Sequence, residues 1–166
     1  VIGYTEVALD ARVTEIRMGE AVVGNFICDI MMHEFDTDCA MLNSGTIRSD
    51  DVIPVGPIRV KGLFGSSLPR SSPDITNLLP YEDTCIVIKI EGKTLLAALE
   101  NGVSMYPKQE GRFPQVAGLC FSFDPSLPPR KRIVGDVLVQ GKPLELNGWY
   151  KVATKGYMLE GRDGYD

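Results

Sequence analysis

Two short polar motifs lie at nearly opposite ends of this sequence, and a fold that uses both must bring them to one place. The first is Asn43-Ser44-Gly45-Thr46-Ile47-Arg48; the second is Gly161-Arg162-Asp163-Gly164-Tyr165. Each couples glycines, which let backbone approach a ligand closely, to polar side chains with directional hydrogen bonding. Catalytic equipment is sparse by comparison. His33 is the only histidine of the 166 residues, so the chain is poor in ligands for a catalytic metal centre. The pattern reads as a binding half separated from its chemistry.

The length suits one domain, and a hydrophobic content of 44% supports a genuine core. A net charge of −5 leaves no basic surplus for a phosphate backbone, which argues against nucleic-acid binding. The densest basic run, Arg130-Lys131-Arg132, follows Pro128-Pro129 and reads as a solvated turn. No apolar stretch approaches the roughly 20 residues of a membrane span, so no membrane contact is expected from this segment. Val1-Ile2-Gly3-Tyr4 reads like the middle of a protein, and the chain is expected to be an excised fragment. Cys28, Cys39, Cys85 and Cys120 lack CxxC spacing and sit in apolar contexts, as buried small hydrophobes do. A Cys28–Cys39 bridge would need a secreted parent.

Periodicity predicts a strand over residues 1–9, a loop over 12–19 and a helix over 20–35 with Val22, Val23, Phe26, Ile27, Ile30 and Met31 on one face. A short buried strand, 39–42, then delivers the first motif as a loop at its C-terminal end. Residues 54–64 are turn-rich and expected to end in one helical turn; 66–80 read as an exposed loop or insertion. A β-branched strand over 84–90, a turn at Glu91-Gly92 and a helix over 93–106 follow, the helix supported by Leu95, Leu96, Leu99 and Val103. Further strands are expected over 116–123, 133–139 and 149–154, with turns at Gly141 and Asn147-Gly148. Uneven strands with two good helices indicate a single α+β domain around a mixed β-sheet.

Some apparent signals are decoys. Gly92-Lys93-Thr94 resembles the end of a phosphate-binding loop, but Val87 stands where the required earlier glycine belongs. His33 lies on the polar edge of its helix beside Glu34, with no second histidine. No GxSxG elbow or Cys–His pair supplies a nucleophile. Asp163 in its Gly-Arg-Asp-Gly setting is compatible with plain turn chemistry.

A larger pattern is carried by motifs in order. Arg17-x-x-Glu20 leads into Gly24-Asn25-Phe26-Ile27-Cys28-Asp29, then Asn43 to Arg48, then Leu79-Pro80-Tyr81. Gly111-Arg112-Phe113-Pro114-Gln115-Val116-Ala117-Gly118 follows, then Lys151-Val152-Ala153-Thr154 and Gly161 to Tyr165. Over essentially its whole length the chain resembles the C-terminal, substrate-binding domain of the 5′-nucleotidase family. These are two-domain dimetal phosphohydrolases that include UDP-sugar hydrolases and 2′,3′-cyclic phosphodiesterases.

The resemblance implies recognition of the nucleoside end of a nucleotide. Two divalent metal ions and the hydrolysis would belong to an N-terminal catalytic domain whose ligand motifs are absent here, so the 1–166 domain itself would carry no metal and no catalytic residue. Tyr81 and Tyr157 match the two aromatics that sandwich the base, with Tyr where the family often has Phe. Asn43 matches the residue that bonds the base edge, and Asp163 the one that accepts bonds from ribose hydroxyls. Arg17 and Arg48 match arginines near the phosphates. Gly45 and Gly164 would let the loops turn tightly beside the ligand; Arg112 and Phe113 would brace the pocket. Arg17 could instead pair with Glu20 at i,i+3. The alternatives are a domain from a sugar-phosphate or cyclic-nucleotide phosphoesterase, and a non-catalytic binding module.

Overall fold

A computed structural model describes residues 1, 3–58 and 75–166. Its centre is a mixed four-stranded sheet built on β3 (Cys39–Asn43), a strand buried on both faces. An unbroken apolar run of this kind suits a strand covered from both sides. Parallel to it lies β11 (Trp149–Lys155), with Val152 opposite Cys39 and Ala153 opposite Ala40. Outside β11 runs β6 (Cys85–Glu91), antiparallel. On the other side β7 (Pro114–Ala117) pairs antiparallel, setting Asn43 opposite Pro114. This is the α+β domain with a mixed sheet that the periodicity predicts.

Alternation along β3 divides the core. Ala40 and Leu42 face α2 (Val22–Phe35), packing with Val23, Ile27, Cys28 and Met31. Cys39 and Met41 face α4 (Gly92–Val103), packing with Leu95, Leu99 and Val152. Full burial of each such aliphatic side chain is worth about 1.5–3 kcal/mol, so both helices are held firmly onto the sheet. Cys28 and Cys39 therefore point to opposite sides of the sheet, and all four thiols are free. Cys120, expected to be buried, is exposed on β8 (Leu119–Phe123).

Several boundaries differ from expectation. The segment expected as one loop contains a single-turn helix, α1 (Val13–Ile16), whose Ile16 is buried. The expected first strand is two pieces, β1 (Gly3–Thr5) and β2 (Leu9–Asp10), which pair with β5 (Gly56–Ile58) and β4 (Val52–Ile53) respectively. The buried stripe of α2 is rotated toward Gly24 and Cys28, whose small size lets the helix press against β7. Val22 is exposed, as is Ile30 at 48%. The Glu91-Gly92 turn is a direct passage from β6 into α4: a Cβ on Gly92 would overlap the Glu145 carbonyl. The expected strand 116–123 is broken at Gly118, which adopts φ +69 and separates β7 from β8.

Outside the central sheet, β9 (Ile133–Val139) pairs with β8 and with the short β10 (Lys142–Pro143). Arg132 is a correction too. It is buried, and its Nη1 donates to the carbonyls of Val103 (2.7 Å), Ser104 (3.1 Å) and Tyr106 (2.8 Å), at and just beyond the C-terminal end of α4. A guanidinium there satisfies carbonyls that a helix end leaves orphaned. A second single-turn helix, α3 (Ile75–Leu78), falls inside the expected loop 66–80; the rest of that loop up to residue 74, and the helical turn expected near 64, lie outside the described residues. His33 is exposed beside Glu34, as its position on the helix predicts. Among the described residues no helix is long and apolar enough to cross a membrane.

Candidate functional site

Strand β3 ends by presenting Asn43 at the edge of the sheet, and a 3-10 turn over Ser44–Thr46 carries the chain away. That turn is pinned to the loop before β7. Ser44 N donates to the Phe113 carbonyl at 2.8 Å and Gly45 N to the Gly111 carbonyl at 2.8 Å. Gly45 and Gly111 approach so closely that a Cβ on Gly45 would sit 3.0 Å from the Gly111 Cα. Asn43 is 3% exposed. Its Nδ2 donates to Asp163 Oδ2 at 2.9 Å, and its Oδ1 accepts from Thr46 Oγ1 at 2.7 Å.

Asp163 arrives from the other end of the chain. After β11 the chain makes one turn of helix, α5 (Gly156–Leu159), then a turn over Arg162–Gly164. Gly161 and Gly164 take φ +76 and +78, the left-handed region glycine enters freely, and Asp163 itself sits at φ +56. Tyr157, on α5, donates its hydroxyl to Asp163 Oδ1 at 3.3 Å. Both carboxylate oxygens are thereby engaged. Enclosure, and secondarily the neighbouring Asp163 charge, push the Tyr157 phenol above its ordinary range.

Tyr81 comes from a third segment that is tied to α5. Lys155 Nζ donates to the Asp83 carbonyl, Gly156 N to the Thr84 carbonyl at 2.9 Å, and Tyr157 N to Asp83 Oδ1 at 3.3 Å. The Tyr81 ring is 57% exposed, and the Arg48 guanidinium lies over it, 5.8 Å from the centroid. Arg48 is anchored through its backbone, which donates to the Leu78 carbonyl at 2.9 Å. Tyr157 is 39% exposed.

Arg17, just past α1, reaches away from Glu20. Its Nη1 donates to the Gln109 carbonyl at 3.0 Å, and its buried Nε has no partner among the described residues. Glu20 instead accepts from Asn25 Nδ2 at 2.6 Å, so the i,i+3 ion pair is not formed. The fold thus links Asn43, Gly45, Tyr157 and Asp163 in one cluster and Arg48 with Tyr81 in a second. Arg17 joins the loop 109–113 that also backs Gly45.

Four contributors, Gln115, Gly24, Asp83 and Asn101, were not singled out from sequence. Gln115, 1% exposed, accepts from Ala21 N at 3.1 Å and donates to the carbonyls of Ile16 and Gly19, both at 2.8 Å; it fastens the turn that carries Arg17. Gly24 leaves the room it needs, since a Cβ there would overlap the Gln115 side chain. A lone amide inside an apolar strand is a readable signal, because buried polar groups need partners. Asp83 and Asn101 carried no such signal. Of Arg112 and Phe113, Arg112 Nε bonds Glu110 at 3.0 Å, and Phe113 is buried against Phe123.

Two hollows lie elsewhere. One of about 510 Å³ is lined by Met41, Ile88, Leu96, Met158 and Tyr165 on the α4 side and touches the second motif only at its edge; another of about 410 Å³ lies beside Glu20, Asn25 and Phe121. Neither is lined by Asn43, Tyr81, Tyr157 or Asp163. Among the described residues, no three His, Cys, Asp or Glu side chains converge as metal ligands do.

The family model for the 5′-nucleotidase, C-terminal domain, matches residues 1–166. The chain belongs to that family. A trifunctional nucleotide phosphoesterase, YfkN, from Bacillus subtilis is 32% identical over 99% of this chain and 11% of its own length. A 5′-nucleotidase of Diplobatis ommata is 30% identical over 99% of this chain and 30% of its own length. The crystal structure of a 5′-nucleotidase precursor from Thermus thermophilus superposes with a TM-score of 0.85 at 35% identity, covering 99% of this chain and 31% of that one. This 5′-nucleotidase C-terminal domain therefore spans about a third or less of these relatives.

Proposed function

We propose that this domain recognises the nucleoside portion of a nucleotide for a 5′-nucleotidase-type dimetal phosphohydrolase, binding the substrate without cleaving it. The observation that carries the reading is the Asp163 carboxylate, held by Asn43 Nδ2 at 2.9 Å with the Tyr157 hydroxyl beside it at 3.3 Å. A charged acceptor fixed in this way suits the vicinal hydroxyls of a ribose, because little freedom remains to be lost on binding. Tyr157 and Tyr81 offer two exposed ring faces on segments tied by the Asp83 contacts, a suitable pair for stacking a base. Asn43 would use its remaining N–H and lone pair on the base edge.

Arg17 and Arg48 would face the phosphate. The partnerless buried Nε of Arg17 supports an anion nearby, since buried donors rarely stay unpaired. The two metal ions of the reaction would sit in an N-terminal domain and would supply the activation of water there. This domain's share of the work would be positioning, which holds the substrate in line for attack.

Adenosine titration followed by calorimetry tests the reading. Tyr157→Ala should weaken binding by about 10- to 100-fold, since stacking is worth roughly 1–3 kcal/mol per base. Tyr157→Phe should bind nearly as well as wild type, because the ring carries the contact and the hydroxyl bond to Asp163 is long at 3.3 Å. Equal affinity for wild type and Tyr157→Ala would remove nucleoside recognition as the function.

A further inference from the structure

We propose that Asn101 is a positioning residue that sets this domain's selectivity for free ribose hydroxyls, by gripping the backbone of Asp163. The proposal rests on the nucleoside-recognition reading above. Asn43 and Tyr157 hold the Asp163 carboxylate but leave its backbone unrestrained. That backbone sits at φ +56, ψ +19, a left-handed conformation that a residue with a Cβ keeps only where its surroundings hold it. Asn101 supplies the hold: its Nδ2 donates to the Asp163 carbonyl at 3.0 Å.

The Asn101 amide can face only one way. Its Oδ1 accepts from Arg112 Nη1 at 3.2 Å, and guanidinium only donates; its Nδ2 meets a carbonyl, which only accepts. A flipped amide would oppose both. Arg112 is itself fixed through Nε to Glu110 Oε2 at 3.0 Å, and its carbonyl accepts from the Tyr165 hydroxyl at 2.6 Å. Gly164 allows the network to close over the chain, because a Cβ there would stand 2.9 Å from Asn101 Oδ1 and 3.2 Å from Arg112 Nη1. Asn101 stands in the last turn of α4, whose Leu95, Leu99 and Val103 are buried. A rigid helix thus sets where the Asp163 carboxylate points.

The test compares adenosine with 2′,3′-dideoxyadenosine in the wild type, Asn101→Asp, Asn101→Ala and Asp163→Ala. Asn101→Asp is isosteric and keeps the acceptor for Arg112, but turns an oxygen toward the Asp163 carbonyl. It should weaken adenosine by about three- to tenfold, the worth of one hydrogen bond, and leave dideoxyadenosine unchanged. Asn101→Ala should shift the same ratio in the same direction, should the Asp variant fail to fold. A merely structural role would weaken both nucleosides equally. An unchanged ratio in a folded Asn101 variant, with selectivity lost in Asp163→Ala, would overturn the role of Asn101 and spare the nucleoside reading. Selectivity unaffected in Asp163→Ala would overturn both.

Discussion

The corner at Asn43 and Asp163 and the corner at Arg48 and Tyr81 are built by opposite means. Asn43 issues from a strand buried on both faces, and its side chain bonds a carboxylate 120 positions later in the sequence. Side chains there are locked before any ligand arrives. Arg48 and Tyr81 are both exposed; among the described residues one guanidinium–ring contact joins them and one backbone bond anchors Arg48. The first corner can impose geometry on a ligand, whereas the second can adapt to one. Preorganised groups lose less freedom on binding, so under the proposed reading Asp163 would set orientation and Tyr81 would accommodate the ligand.

The sharpest way to break this contrast is to truncate each corner and measure urea denaturation. Asn43→Ala should cost about 1–3 kcal/mol, because it strands buried groups that had partners. Tyr81→Ala should stay within about 0.5 kcal/mol, as exposed positions do. Similar losses at the two positions would end the distinction.

Alkaline unfolding probes the closed corner next. Enclosure, and secondarily the Asp163 charge, raise the Tyr165 phenol well above its ordinary value of 10.0. A raised acid stays protonated in the folded state while the unfolded chain has already released its proton. The stabilisation is therefore complete below pH 10.0 and declines as pH rises above it. The slope reaches at most about 1.4 kcal/mol per pH unit per group. Cys39, pushed by burial from 9.0 to about 12, and Cys28, raised likewise, extend the decline down to pH 9.0. Tyr165→Phe should flatten the slope above pH 10.0 and leave the cysteine portion intact. A slope identical to wild type would show that the phenol is not protected.

The smallest effect belongs to the open corner. Arg48→Ala should change stability by no more than about 0.5 kcal/mol, as exposed positions do, yet shift the Tyr81 ring resonances. Ring shifts that do not respond would mean that the guanidinium and the ring do not associate in solution.

Element types were legible where the periodic signal and burial agree. Strands at β3, β6, β9 and β11, and helices α2 and α4, follow from unbroken apolar runs or a regular stripe. What failed was orientation and packing detail. Val22 and Ile30 look like core on any helical wheel, but the wheel does not know that Gly24 must meet Gln115, which turns the helix and leaves them exposed. Arg132 looked solvated because its carbonyl partners at the end of α4 are close only in space.

For the site, the residue types were present in the linear order of motifs: a carboxylate, an amide, two tyrosines, two arginines and flexible glycines. Chemistry of that kind is local, and the sequence alone determines which groups are on offer. Which groups meet is a property of the sheet. Setting β11 parallel to β3 brings the ends of both strands to the same edge, so Asn43 and Asp163 come within hydrogen-bonding distance. The same geometry spends half of the Asn43 amide's bonding capacity on Asp163 and Thr46, lays Arg48 on Tyr81, and turns Arg17 from Glu20 to the Gln109 carbonyl. Hydrogen bonds between residues so far apart in sequence carry no local signature, and only the folded chain decides them.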